Sequence, residues 1–117
     1  MAKGFGSRTF DGAGTLRCMV VGLTPEGEES CRRAILPVEV VPARNAEEAC
    51  ASMSTLLPLV VVVDPAVAET ERSSISEMAT ACGAEVVTFE PSAPGPSLAA
   101  RLLEAVRVAE RRRLGNR

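Results

Sequence analysis

The residue of this chain best placed to do chemistry is a carboxylate at the end of an apolar run. Asp64 follows Leu59-Val60-Val61-Val62-Val63 and precedes Pro65. A carboxylate delivered at the aqueous end of a strand can hold a hard cation or accept a transferred group. It can equally cap the turn that follows, through the backbone of that turn. Hydroxyl groups at Thr24 and Thr88 and a second carboxylate at Glu90 lie near other strand ends. Independent catalysis is not expected. The sequence has no His, which removes His general bases and His-ligated zinc. No Ser stands in a GxSxG turn, and Ala66 occupies the position where a phosphatase built on Asp64 would want a second aspartate.

The remaining reactive side chains favour structural roles. Cys18, Cys31, Cys50 and Cys82 show neither CxxC nor metal-ligand spacing, and each falls on an apolar position of an expected strand or helix. They read as buried free thiols. Glu26, Glu28 and Glu29 open a helix, where acids offset the positive end of its dipole; ligation of a metal is the alternative. Gly4, Gly6, Gly12 and Gly14 precede the first strand, so they lack the strand-then-helix setting of a phosphate loop. No cofactor or metal is expected.

The 117 residues suit one domain. Apolar residues make up 46% and aromatics only 3%, so the core must be aliphatic. The net charge of −2 supplies no field to draw the chain onto nucleic acid or an anionic membrane. Arg111, Arg112 and Arg113 read as solvated cations in the last turn of a helix. No apolar stretch reaches the length of a membrane span, and no signal peptide is recognised, so a cytoplasmic setting is expected.

The elements that would position these groups alternate. Residues 1–15 read as a flexible Gly-rich leader, 16–113 as the folded domain and 114–117 as a tail. Leu16 to Val21 is a strand ending at Gly22, then Thr24-Pro25 caps a helix with Cys31, Ala34 and Ile35 inside and Pro37 at its end. Val38 to Val41 is a second strand. Asn45 and Glu48 start a helix whose face is Ala46, Ala49, Cys50, Met53, Leu56 and Leu57. Leu59 to Val63 is the third strand, covered on both faces. Ser74 and Glu77 have capping-box spacing for a helix closed by Gly83, and Val86 to Phe89 is the fourth strand. After a proline-rich loop, Leu98, Leu102, Ala105, Val106 and Ala109 define a last helix. Right-handed crossovers then give a doubly wound, flavodoxin-like α/β sheet in the order 2-1-3-4, with helices on both faces. Its ligand crevice lies beyond the first and third strands, at Gly22-Leu23-Thr24 and Asp64.

Three stretches resemble a bacterial response-regulator receiver domain. They are Met19-Val20-Val21 running to Pro25, Val38 to Val41 followed by Asn45-Ala46-Glu47-Glu48-Ala49, and Pro58 to Asp64. Glu90-Pro91 and Leu98 to Val106 are similar to that family's final loop and helix. The resemblance covers about residues 16–113 and makes Asp64 the counterpart of the phosphoacceptor. It also implies an acidic pair for Mg²⁺, where this chain has Gly22 and Leu23. Thr88 matches the phosphate-contacting hydroxyl if its strand is the family's fourth. If that strand is the fifth, Glu90 stands in the place of the essential lysine. The only lysine is Lys3, in the leader. One strand–helix unit of the family's five is missing. Asp64 is accordingly read as a vestigial acceptor and turn residue.

The resemblance therefore implies a pseudo-receiver: a regulatory module in bacterial signal transduction, of the two-component type, that binds another protein or itself. Val86, Val87 and Phe89 form the expected interaction edge, and a homodimer is one way to cover it. The alternatives are an atypical phosphoacceptor or anion switch around Thr24, Asp64 and Thr88, and a purely structural oligomerising subunit.

Overall fold

Short β-branched runs alternating with stretches of 3.6-residue period produce a strand–helix repeat. The computed structural model describes residues 16–34, 39–90 and 97–115. In chain order the elements are β1 (Arg17–Val21), α1 (Pro25–Ala34), β2 (Glu39–Ala43), α2 (Ala46–Leu56), β3 (Val60–Val63), α3 (Glu69–Cys82), β4 (Glu85–Thr88) and α4 (Leu98–Gly115). The four strands form one all-parallel sheet in the order β2-β1-β3-β4. The expected doubly wound, flavodoxin-like arrangement is thus the observed one. Among the described residues no helix is long and apolar enough to cross a membrane.

Alternation along the central strands divides the core in two. Cys18 and Val20 of β1 and Val60 and Val62 of β3 face one side, where they pack with Cys31 of α1 and Leu102, Ala105, Val106 and Ala109 of α4. Met19, Val21, Val61 and Val63 face the other side, against Ala46, Ala49 and Met53 of α2 and Ile75 and Ala79 of α3. All four β3 valines are buried, as a central parallel strand demands. Each contributes about 1.5 kcal/mol or more by leaving water.

Local signals set most helix starts. The Thr24 hydroxyl accepts the Gly27 N–H (3.1 Å), and Asn45 Oδ1 accepts the Glu48 N–H (2.9 Å). Glu48 returns a bond to the Arg44 N–H (2.7 Å), one residue outside the usual capping box. That backbone bond holds the Glu48 carboxyl below the usual carboxylate range.

Several expectations are corrected. Ser74 does not cap α3: the helix begins at Glu69, and the Ser74 hydroxyl donates back to the Thr70 carbonyl (3.3 Å). The turn at Asp64 reverses the chain early, and nothing between Glu69 and Arg72 opposes helix, so α3 gains a turn. β2 runs past Val41 through Pro42 to Ala43. Leu57 is not on the inner face of α2; it is the C-cap, left-handed (φ 49°) and half exposed. α4 continues through Gly115, so two residues of the expected tail are helical. Cys18 and Cys31 are buried, but Cys50 and Cys82 are only half-buried. Residues 1–15, 35–38, 91–96 and 116–117, which include the expected leader, the expected end of the first helix and the expected proline-rich loop, lie outside the described residues.

Candidate functional site

The C-terminal ends of β1 and β3 are where strand order reverses, and there Gly22 and Asp64 come together. The Asp64 N–H donates to the Val21 carbonyl (3.2 Å), and the Gly22 N–H to the Ala43 carbonyl (3.0 Å). Gly22 has φ +73°, a conformation that favours glycine. A Cβ built on it would lie 3.9 Å from Asp64 Cβ and only 3.2 Å from Val67 Cγ2. A side chain at position 22 would therefore have to hold a positive-φ backbone and push the Val67 methyl aside by a few tenths of an ångström.

Asp64 serves the turn that follows it. Its Oδ1 accepts the Ala66 N–H (2.7 Å), and its carbonyl accepts the Val67 N–H (3.0 Å). The first bond makes an Asx turn and the second closes a β-turn over residues 64–67; together they place Val67 over Gly22. The turn-capping reading of Asp64 is the one the geometry contains.

The other expected neighbours are committed elsewhere. The Thr24 hydroxyl is the α1 cap. Leu23 packs against the α1/α4 core. Thr88 pairs in register with Val63, one residue before Asp64, and lines a groove beside α3. Glu90 is exposed, and its carbonyl accepts from Arg101 (3.4 Å). Glu29 pairs with Arg32 (2.9 Å) and Arg33 (3.2 Å). Among the described residues, no three acidic or sulfur side chains stand close enough to share a metal ion. The Mg²⁺ that the receiver resemblance implies does not fit the described residues: no group of three acidic or sulfur side chains surrounds Asp64, and its Oδ1 is engaged by the Ala66 N–H.

The expected interaction edge is also redistributed. β4 is an edge strand, as anticipated. Val87 and Phe89, however, pack on the α1/α4 core, and the Phe89 ring lies 3.4 Å from where a Gly27 Cβ would sit. Val86 packs on the opposite side. These three side chains are half-buried parts of the core. What the edge offers outward is its backbone.

Three arginines organise this region: Arg101, which the sequence did not single out, and Arg112 and Arg113, expected to be solvated. Arg101 donates to the carbonyls of Thr88 and Glu90, holding the end of β4 to α4. Arg112 pairs with Glu85 at the other end of the strand (2.7 Å). Arg113 donates to the carbonyls of Leu57 (3.2 Å), Pro58 (2.8 Å) and Cys82 (3.4 Å). A cation there offsets the negative ends of α2 and α3 together. The basic run at 111–113 is therefore not simply a solvated helix end; two of its members are clamps. Their signal was present, since Arg113 continues the buried stripe Leu102, Val106, Ala109 by four residues.

Burial also governs the thiols. It pushes Cys18 up to about 12, with Cys31 nearby adding to the shift, and Cys31 up to about 11, with Glu28 adding. Both are protonated at neutral pH and poor nucleophiles. No protein-family model matches this chain, and no curated protein matches it significantly.

Proposed function

We propose that this chain is a receiver-like docking module that acts without aspartyl phosphorylation. The observation that carries the proposal is the Gly22–Val67–Asp64 arrangement: the acceptor-like carboxylate is bound into its own turn, and the strand-end position beside it is a positive-φ glycine crowded by the Val67 methyl. Phosphoryl transfer needs a metal and a cation at that point to neutralise developing charge. The nearest strand-end residues are instead glycine, leucine and valine. Binding through the open side of β4 is the activity left to such a fold, because an edge strand presents backbone donors and acceptors. The reading extends to a cytoplasmic signalling role and to a protein partner.

The test is two-dimensional amide NMR during addition of beryllofluoride with Mg²⁺. An unchanged spectrum around Val21, Asp64 and Val67 is expected. Shifts centred on Asp64 and spreading to α4 would overturn the proposal in favour of a phospho-switch.

A further inference from the structure

The open side of β4 can be accounted for group by group. The Glu85 N–H donates to the Leu59 carbonyl (2.9 Å) and the Phe89 N–H to the Val63 carbonyl (2.8 Å), so residues 85, 87 and 89 turn their backbone toward β3. Alternation turns Ala84, Val86 and Thr88 toward the open edge. Two of their six groups are already used: the Ala84 N–H donates to the Ala79 carbonyl (2.8 Å), and Arg101 donates to the Thr88 carbonyl. Among the described residues the Ala84 carbonyl, both Val86 groups and the Thr88 N–H have no partner.

Those four groups are symmetric about Val86. In an antiparallel ladder, a hydrogen-bonded pair exchanges both of its N–H and C=O groups. Val86 set against Val86 of a second copy does this, and two residues away each Thr88 N–H meets the other copy's Ala84 carbonyl. All four groups on each chain are then satisfied, and the two groups already used within each chain are the ones left over in that register.

The helix above the edge is self-complementary in the same sense. Arg72, Ser73, Ser76 and Glu77 of α3 line a groove of about 510 Å³ with Val86 and Thr88. The Arg72 Nε is buried and has no acceptor among the described residues. Strands about 4.8 Å apart place two helices, each seated over β3 and β4, about 10 Å from one another across the dimer axis, a normal packing distance. In an antiparallel pair of α3 helices, the register that sets Arg72 of each copy against Glu77 of the other is centred between Ser74 and Ile75, one turn or less from the groove residues Ser73 and Ser76. With Glu69 also in the groove, carboxylates outnumber the guanidinium, which argues against a free anion as occupant.

We infer that a second copy of this chain docks on β4 as a two-fold, edge-to-edge dimer centred on Val86, with reciprocal Arg72–Glu77 pairs between the two α3 helices. The inference rests on the docking reading and names its occupant. Sedimentation equilibrium on the full chain tests it, with three variants. Val86→Pro removes an outward N–H and leaves the ladder to β3 intact; it is expected to weaken association at least 10-fold while circular dichroism stays native. Glu77→Arg is expected to weaken association about 10-fold, and adding Arg72→Glu to restore it. A monomer at 100 μM, or a dimer indifferent to Val86→Pro and to the charge swap, overturns the inference. A photo-crosslinker at Ser76 in cells separates the two readings: crosslinks only to a different protein remove the dimer and keep docking, whereas no crosslink removes both.

Discussion

The two edges of the sheet solve one problem by different means. At β2 the outward-facing backbone belongs to Val40 and Pro42, since Glu39 and Ala43 bond inward to β1. Pro42 has no N–H, so it removes a donor on the side where pairing would begin. Glu39, exposed and paired with Arg17 (3.2 Å), adds charge to the same strand. At β4 no proline intervenes, and closure is left to α4: Arg101 takes one carbonyl of the edge, and Arg112 holds Glu85. One edge is blunted by a residue of its own strand. Among the described residues the other is only partly covered, by side chains supplied from α4, and is open at Val86. An edge without a built-in block is where a partner is to be sought.

Substitutions at the two edges should differ widely in the size of their effects. The largest effect is expected from Val87→Pro, which removes an inward N–H of β4 and one bond of the β3 ladder. Denaturant titration should show a loss of about 3 kcal/mol, on the scale of proline within a regular element. Val86→Pro, one residue away, should cost much less; equal losses would mean that the assignment of inward and outward groups is wrong.

Alkaline pH attacks the middle of the sheet and leaves the contrast between edges alone. For Cys18 and Cys31 the folded pKa is raised above the ordinary thiol value of 9.0. The stability they contribute is full below that value and is lost as pH rises toward the folded values of about 12 and 11. The slope is about 1.4 kcal/mol per pH unit per thiol. Denaturant titrations between pH 8 and 11 should show stability falling from about pH 9, with Cys18→Ala flattening the decline. Identical slopes in the variant and the wild type would contradict the burial of this thiol.

Arg101→Ala should come next. It leaves the Thr88 and Glu90 carbonyls without their charged donor, at a cost of about 1.5 kcal/mol in denaturant midpoint analysis. Faster amide exchange is expected along β4 and not along β2. Protection lost equally at both edges would show that α4 does not act locally. The smallest change in stability is expected from Pro42→Val, within about 0.5 kcal/mol for a surface site. Its readout is association: restoring an outward N–H at β2 should create concentration-dependent self-association that wild-type β2 does not support. No change would mean that proline is not what blunts this edge.

Much of this architecture is legible in the sequence. The valine run at 60–63, unbroken and uncharged, marks a strand buried on both faces. Thr24-Pro25 and Asn45 announce two helix starts through side-chain oxygens that sit next to the groups they cap. Crossover handedness then suffices for the strand order, because short links leave few alternatives. Asp64 as a turn residue also belongs to this local class, its partner Ala66 being two residues away.

The seating of the helices on the sheet governs residues far apart in sequence. Gly22 reads as a simple strand end until Val67 is found against it, 45 positions later. Arg113 reads as a solvated cation until three carbonyls from two other helix ends converge on it. Ser74 and Glu77 have the spacing of a cap, yet the chain enters helix earlier because the Asp64 turn delivers it there. Local patterning expresses the preferences of neighbouring residues, and hydrophobic period follows directly from which face is buried. The pairing of a charge with a distant carbonyl, or of a methyl with a distant glycine, follows only from how the helices are seated on the sheet. For that reason the four strands are written in the sequence, and the difference between the sheet's two edges is not.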